Sequence, residues 1–109
     1  MRVKNSKRSD NIYIYIAGDI NQIKQVCREY CRDTGFCVTV TPTTYIYTGG
    51  EEEGAIIGLI NYPRFPSEHT DLLYRGAQLA KKILMHCNQK SFSISTKHRT
   101  YWFTNDPAT

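Results

Sequence analysis

A chain of 109 residues is long enough for one domain with one modest core, and 40 % apolar against 22 % charged residues excludes wholesale disorder. No apolar run reaches the roughly 18–20 residues of a membrane-spanning helix, and no apolar segment follows the basic N-terminus as a secretory signal requires. The net charge of +4 sits largely in residues 1–10, where Arg2, Lys4, Lys7 and Arg8 outnumber one acid, Asp10, so the remainder is close to neutral.

Residues 1–10 read as a frayed basic arm, able to meet phosphates or acidic surfaces only non-specifically. Residues 11–105 read as a single α+β domain. In "NIYIYIAG", Ile12, Ile14 and Ile16 alternate with Tyr13 and Tyr15, a period of two that predicts a strand. "GDINQ" predicts a helix start with Asp19 as N-cap and Gln22 three residues on. Ile20, Ile23, Val26, Cys27, Tyr30 and Cys31 follow at helical spacing, and Gly35 suits the stop.

"FCVTVTPTTYIYT" predicts a second strand, placed at a sheet edge or bulged by Pro42, which has no N–H for the ladder. "GGEEEG" separates it from a third strand, "AIIGLINY", and reads as the tip of a hairpin with glycines supplying positive φ. "PRFPS" then breaks the chain. Ser67 is the expected N-cap of a second helix whose apolar stripe runs from Leu72 through Leu79 and Ile83 to Cys87. "SFSIST" and "TYWFT" predict two last strands joined by the turn Lys97, His98, Arg99.

The order β-α-β-β-α-β with an extra C-terminal strand predicts a ferredoxin-like two-layer sandwich, strands one and three central and strand two at an edge. That arrangement gathers Gly18, Asp19 and the glutamates at an acidic end. It gathers Arg32, Asp33, Arg64, Lys97 and Arg99 at the other.

Glu51, Glu52 and Glu53 are the conspicuous acids. General acid–base work needs two groups in unlike environments around a concavity, and calcium loops need alternating ligands over about a dozen residues. Three successive glutamates on a hairpin tip meet neither requirement; they read as a solvated turn and, functionally, as an acidic docking point. Cys27, Cys31 and Cys37 lack the knuckle spacing of structural zinc, and Cys27 and Cys31 fall on the helix's apolar stripe, so core thiols are the reading over metal or redox chemistry. With no secretory context, reduced cysteines and a cytoplasmic setting are the default.

Arg64, between prolines in "NYPRFP", is rigidly presented near a helix N-terminus and is the best single candidate for binding an anion. The alternation leaves Tyr13 and Tyr15 on an open sheet face, where aromatics either stack single-stranded bases or are covered by a partner or second subunit. "AIIGLINY" lacks the Lys/Arg-Gly-aromatic motif of RNA-recognition modules, which favours the interface.

The segments "AGDI", "CREYC" and "GFCVTVTPTTYIYTGGEEEGAIIGLINYPRFP", within residues 17–66, resemble a family of short proteins of T4-like tailed phages. "YTGGEEEG" and "INYPRFP" carry the resemblance, and no catalytic residue comes with it. It implies work inside an infected cell against a host or defence component.

The expectation is therefore a non-catalytic intracellular binding protein with no cofactor, acting by protein–protein contact, self-association included. Its binding residues would be Arg64, Tyr13, Tyr15, Glu51, Glu52 and Glu53. The alternative is a single-stranded nucleic-acid or nucleotide-binding module using the tyrosine face with Arg64, Lys97 and Arg99. An enzyme is the weakest class: there is no nucleophile–base pairing, phosphate-binding glycine loop or zinc motif, and "AGDI" stands where an acylphosphatase carries a glycine-rich loop ending in arginine.

Overall fold

Isoleucine and tyrosine alternate through β1 (Ile12–Ala17), and the alternation decides which side of the sheet the helices cover. Ile12 and Ile14 are fully buried and Ile16 almost so, whereas Tyr13 is 37 % exposed. The structure, a computed structural model, describes residues 2–3, 11–60 and 69–105. In them β1 is followed by α1 (Ile20–Thr34), β2 (Thr39–Tyr47), β3 (Gly50–Leu59), α2 (His69–His86), β4 (Ser91–Ser95) and β5 (Thr100–Thr104).

The strands form one sheet in the order β2-β3-β1-β4-β5, every neighbouring pair antiparallel. β1 and β3 are interior and β2 is an edge, which accommodates Pro42 opposite Ala55. Both helices lie on the isoleucine face. Ile23, Val26, Cys27 and Tyr30 of α1 and Leu72, Leu79, Ala80, Ile83 and Leu84 of α2 close over Ile12, Ile14, Ile16, Ala55, Ile57, Leu59, Phe92 and Ile94. Each large aliphatic side chain so buried contributes about 1.5–3 kcal/mol. Tyr30 ties the helices together: its hydroxyl donates to Gln78 Oε1 at 3.0 Å, with the Arg75 carbonyl at 3.4 Å.

The helix ends follow the local chemistry. Asp19 accepts from the Gln22 N–H at 3.0 Å, relieving one of the unpaired donors of the first turn. At the other end Gly35 takes a left-handed conformation, and the N–H groups of Gly35 and Phe36 both donate to the Cys31 carbonyl, at 2.9 and 3.2 Å. Ser67, the Tyr62–Pro63 bond and Arg64 lie outside the described residues, as does most of the basic arm. Among the described residues no helix is long and apolar enough to cross a membrane.

One expectation is corrected here. The glutamates are not a hairpin tip: β3 begins at Gly50, and Glu51, Glu52 and Glu53 pair with Ile46, Tyr45 and Thr44 of β2. Two residues, Thr48 and Gly49, make the whole loop, Gly49 at φ 94°. A two-residue connection with glycine at positive φ closes a hairpin unaided. The ladder therefore runs through the acidic stretch instead of opening around it.

Candidate functional site on the open sheet face

The register places every second residue of each strand on the face away from the helices. Tyr13 pairs with Gly58 and Ser95, and Tyr15 with Ile56 and Ser93. Gly58 pairs with Thr39, Ile56 with Thr41, and Gly54 with Thr43; Tyr45 and Tyr47 continue that row opposite Glu52 and Gly50. On β5, Trp102 pairs with Ser93 and is 63 % exposed. The face is thus a row of tyrosines and serines on β1 and β4, a row of threonines and tyrosines on β2, and a nearly bare β3 between them.

Close approach explains the glycines of β3. A Cβ on Gly58 would run into Thr39 Oγ1 and lie 3.4 Å from the Tyr13 ring. A Cβ on Gly54 would collide with the Ile16 carbonyl, lie 2.7 Å from Ala17 Cα and meet the Tyr45 ring at 2.9 Å. Only glycine fits at these two positions, and between them Ile56 is half-buried. The result is that the rings of Tyr45 and Tyr13 lie close against the β3 backbone, with both glycines buried beside them.

The rings are anchored by hydrogen bonds. Tyr45 donates its hydroxyl to the Ala55 carbonyl at 2.7 Å, and burial pushes its phenol above the usual range. Ser95 Oγ donates to the Tyr15 hydroxyl at 3.4 Å. Tyr47 donates to Glu52 Oε1 at 3.3 Å, so this carboxylate is held beside a tyrosine at the exposed end of the face. Anchored rings cost less entropy to stack against than free ones.

The face is polarised along its length. The Gly18 N–H donates to the Glu53 carbonyl at 2.9 Å, which brings the β1–α1 turn and Asp19 to the glutamate end. The pairing of Tyr13 with Ser95 sets the β4–β5 turn, with exposed Lys97 and Arg99, at the other. That turn is closed by Thr96, whose N–H donates to the Arg99 carbonyl at 2.7 Å and whose Oγ1 accepts from the N–H groups of His98 and Arg99.

Tyr13, Tyr15 and Glu52 are therefore brought onto one face. Glu51 and Glu53 alternate to the other face, exposed, beyond the helices. Tyr45, Tyr47, Trp102, Ser93 and Ser95 were missed as site residues by sequence reasoning. The unbroken period of two in Thr39, Thr41, Thr43, Tyr45 and Tyr47 would have found the β2 row. Among the described residues no group of three or more His, Cys, Asp or Glu is arranged to hold a metal ion.

The chain matches no protein-family model and no curated sequence closely enough to establish a relationship. Its fold matches solved structures end to end. A phage SAM (S-adenosylmethionine) lyase in the apo state superposes with a TM-score of 0.78 at 12 % identity, covering 100 % of both chains. A phage SAM lyase in complex with S-methyl-5'-thioadenosine gives a TM-score of 0.67 at 13 % identity, covering 100 % of this chain and 99 % of the other. These matches overturn the expectation of a non-catalytic protein acting by protein–protein contact: the solved structures that share the fold over its whole length are of a phage SAM lyase, one of them with a thioadenosine bound. The physical reason for the error is that missing nucleophile–base pairs, phosphate loops and zinc ligands exclude only reactions that need them.

Proposed function

We propose that this chain is a SAM lyase that cleaves SAM to S-methyl-5'-thioadenosine on the open sheet face. The observation that carries the reading is the full-length fold match to phage SAM lyases, one of them holding that thioadenosine. The aromatic residues of the open sheet face support it. The sulfonium of SAM is a cation that aromatic faces attract, worth about 0.5–2 kcal/mol per well-placed ring. The adenine ring stacks on the same kind of surface. Tyr13, Tyr15 and Trp102 are the aromatic platform, and Glu52 faces the positive charge of the substrate.

Release of the thioadenosine breaks the bond between sulfur and the γ-carbon of the amino-acid arm, and the bonding pair stays on sulfur, which becomes a neutral thioether. The γ-carbon is taken by an oxygen of the substrate's own carboxylate, closing a lactone. Atoms and charge balance with no water, oxidant or protein nucleophile. The protein's work is to hold the arm folded and to keep water off the reacting carbon. Loss of the sulfonium charge removes the attraction to the rings, so the product is held less tightly than the substrate.

Further readings belong with this proposal. The run β2-β3-β1-β4 is the split order of a ferredoxin-like sandwich, with β5 appended at the β4 edge. Both structural neighbours being phage proteins supports kinship with the short T4-like phage family. An enzyme consuming SAM works where SAM is, in the host cytoplasm.

The test is to incubate the full chain with SAM and measure thioadenosine and the four-carbon product by chromatography. Expected are thioadenosine matching the SAM consumed and a lactone beside it. The double variant Tyr13→Ala/Tyr15→Ala loses about tenfold or more in kcat/KM while keeping its circular dichroism. Thioadenosine forming no faster than in buffer would end the proposal, and an alkene in place of the lactone would replace the closure step.

A further inference from the structure

A concavity lies away from the open sheet face, between α1 and β2, with a volume of about 420 Å³. Cys27, Cys31, Cys37, Lys24, Arg28 and Val38 are among its walls. Three of the protein's four cysteines share one groove, and the lyase reading uses none of them. Their access is graded: Cys27 is buried, Cys31 half-buried and Cys37 exposed.

The end of α1 explains why Cys31 and Cys37 are neighbours. After Gly35 the chain doubles back over the last helical turn, held by the two bonds to the Cys31 carbonyl. This returns Cys37 and Val38 to the groove that Cys31 lines. Burial first, and then Cys37, push the Cys31 thiol above its ordinary value. Cys27, deeper in the wall, is pushed up to about 12 and stays a thiol. Lys24 and Arg28 make the rim cationic.

We propose that Cys37 and Cys31 form a thiol–disulfide exchange site for small anionic disulfides, with oxidised glutathione as the type of substrate. The exposed Cys37 thiolate attacks one sulfur of the disulfide and forms a mixed disulfide, releasing one glutathione. The Cys31 thiolate then attacks the Cys37 sulfur and expels the second glutathione, leaving a Cys31–Cys37 disulfide. The two protein thiols are oxidised, one external disulfide is reduced to two thiols, and each protein thiol gives its proton to a departing glutathione. Lys24 and Arg28 attract the carboxylates of the incoming molecule. Cys37 is thus the entry point and Cys31 the resolving thiol. The site is independent of the lyase reading.

The test equilibrates the full chain with oxidised and reduced glutathione at graded ratios, blocks remaining thiols and reads intact mass and disulfide-linked peptides. Wild type is expected to lose the mass of two hydrogens with a Cys31–Cys37 link. Cys31→Ser is expected to stop at one glutathione adduct on Cys37, and Cys37→Ser to form neither adduct nor link. Wild type remaining reduced at ratios that oxidise ordinary dithiols would overturn the proposal, and so would a link made instead to Cys27 or Cys87. The peptide map of wild type decides the matter even if a serine variant fails to fold.

Discussion

The two faces of the sheet are built by the same strands, residue by alternate residue, and they share almost no chemistry. The helix-covered face is isoleucine, leucine and phenylalanine at almost zero exposure. The open face is tyrosine, threonine, serine and glycine, anchored by side-chain bonds such as Tyr45 to the Ala55 carbonyl. The contrast teaches that folding and the proposed function draw on separate residues here, although they are neighbours in the chain. Ile14 and Tyr13 are adjacent and do opposite work.

The largest expected effect breaks the comparison directly. Ile14→Ala leaves a cavity beneath both helices and lowers unfolding free energy by about 2–5 kcal/mol in urea titration. Tyr13→Ala removes only cross-strand contact on the open side and costs about 0.2–1 kcal/mol. Equal losses for the two would mean that the open face is structural and that the division drawn here is false.

A second effect belongs to the covered face alone. Burial raises Cys27 from 9.0 to about 12, with smaller influences from Cys31 and Arg28. Between those values the unfolded chain gives up the thiol proton and the folded chain keeps it, so the unfolded state binds fewer protons. Stability therefore falls as pH rises through that interval. Denaturant midpoints measured at rising alkaline pH should decline, and Cys27→Ala should make the decline shallower. An unchanged slope in that variant would assign the loss to other groups.

The smallest effect sharpens the contact between the helices. Tyr30→Phe keeps the ring, which meets Phe36 edge-on with centroids 6.4 Å apart, and deletes the hydrogen bond to Gln78. Gln78 is exposed and recovers a partner in water, so the expected loss is about 0.5–1.5 kcal/mol. A loss as large as that of Ile14→Ala would place the bond among the main supports of the fold.

Much of the fold was legible because its signals are local. The alternation in residues 12–17 marks β1 and its two faces, Asp19 and Gly35 bracket α1, and Pro42 marks β2 as an edge. Where reading failed, the cause was equally local. Three glutamates between glycines look like a loop when turn propensity is weighed alone, yet Thr48 and Gly49 already complete the turn, and pairing with β2 carries the acids into β3. Strand propensity is weak beside the gain of continuing a ladder. The site was legible in part: Tyr13 and Tyr15 stand out on their strand, but Glu52 and Tyr47 acquire meaning only from the register that joins them.

Composition and pattern by themselves determined the α+β class, the boundaries of α1 and which face of β1 is buried, because propensity, capping and periodicity act within a few residues of one another. Only the tertiary structure decided that Gly54 and Gly58 lie against tyrosine rings of β1 and β2, and that Cys37 shares a groove with Cys31. Those relations depend on strand order and register, which are set by packing across the whole domain. For the same reason the likeness to solved lyase structures emerged from the shape of the chain and not from its motifs: the backbone superposes over its whole length at only 12–13 % identity.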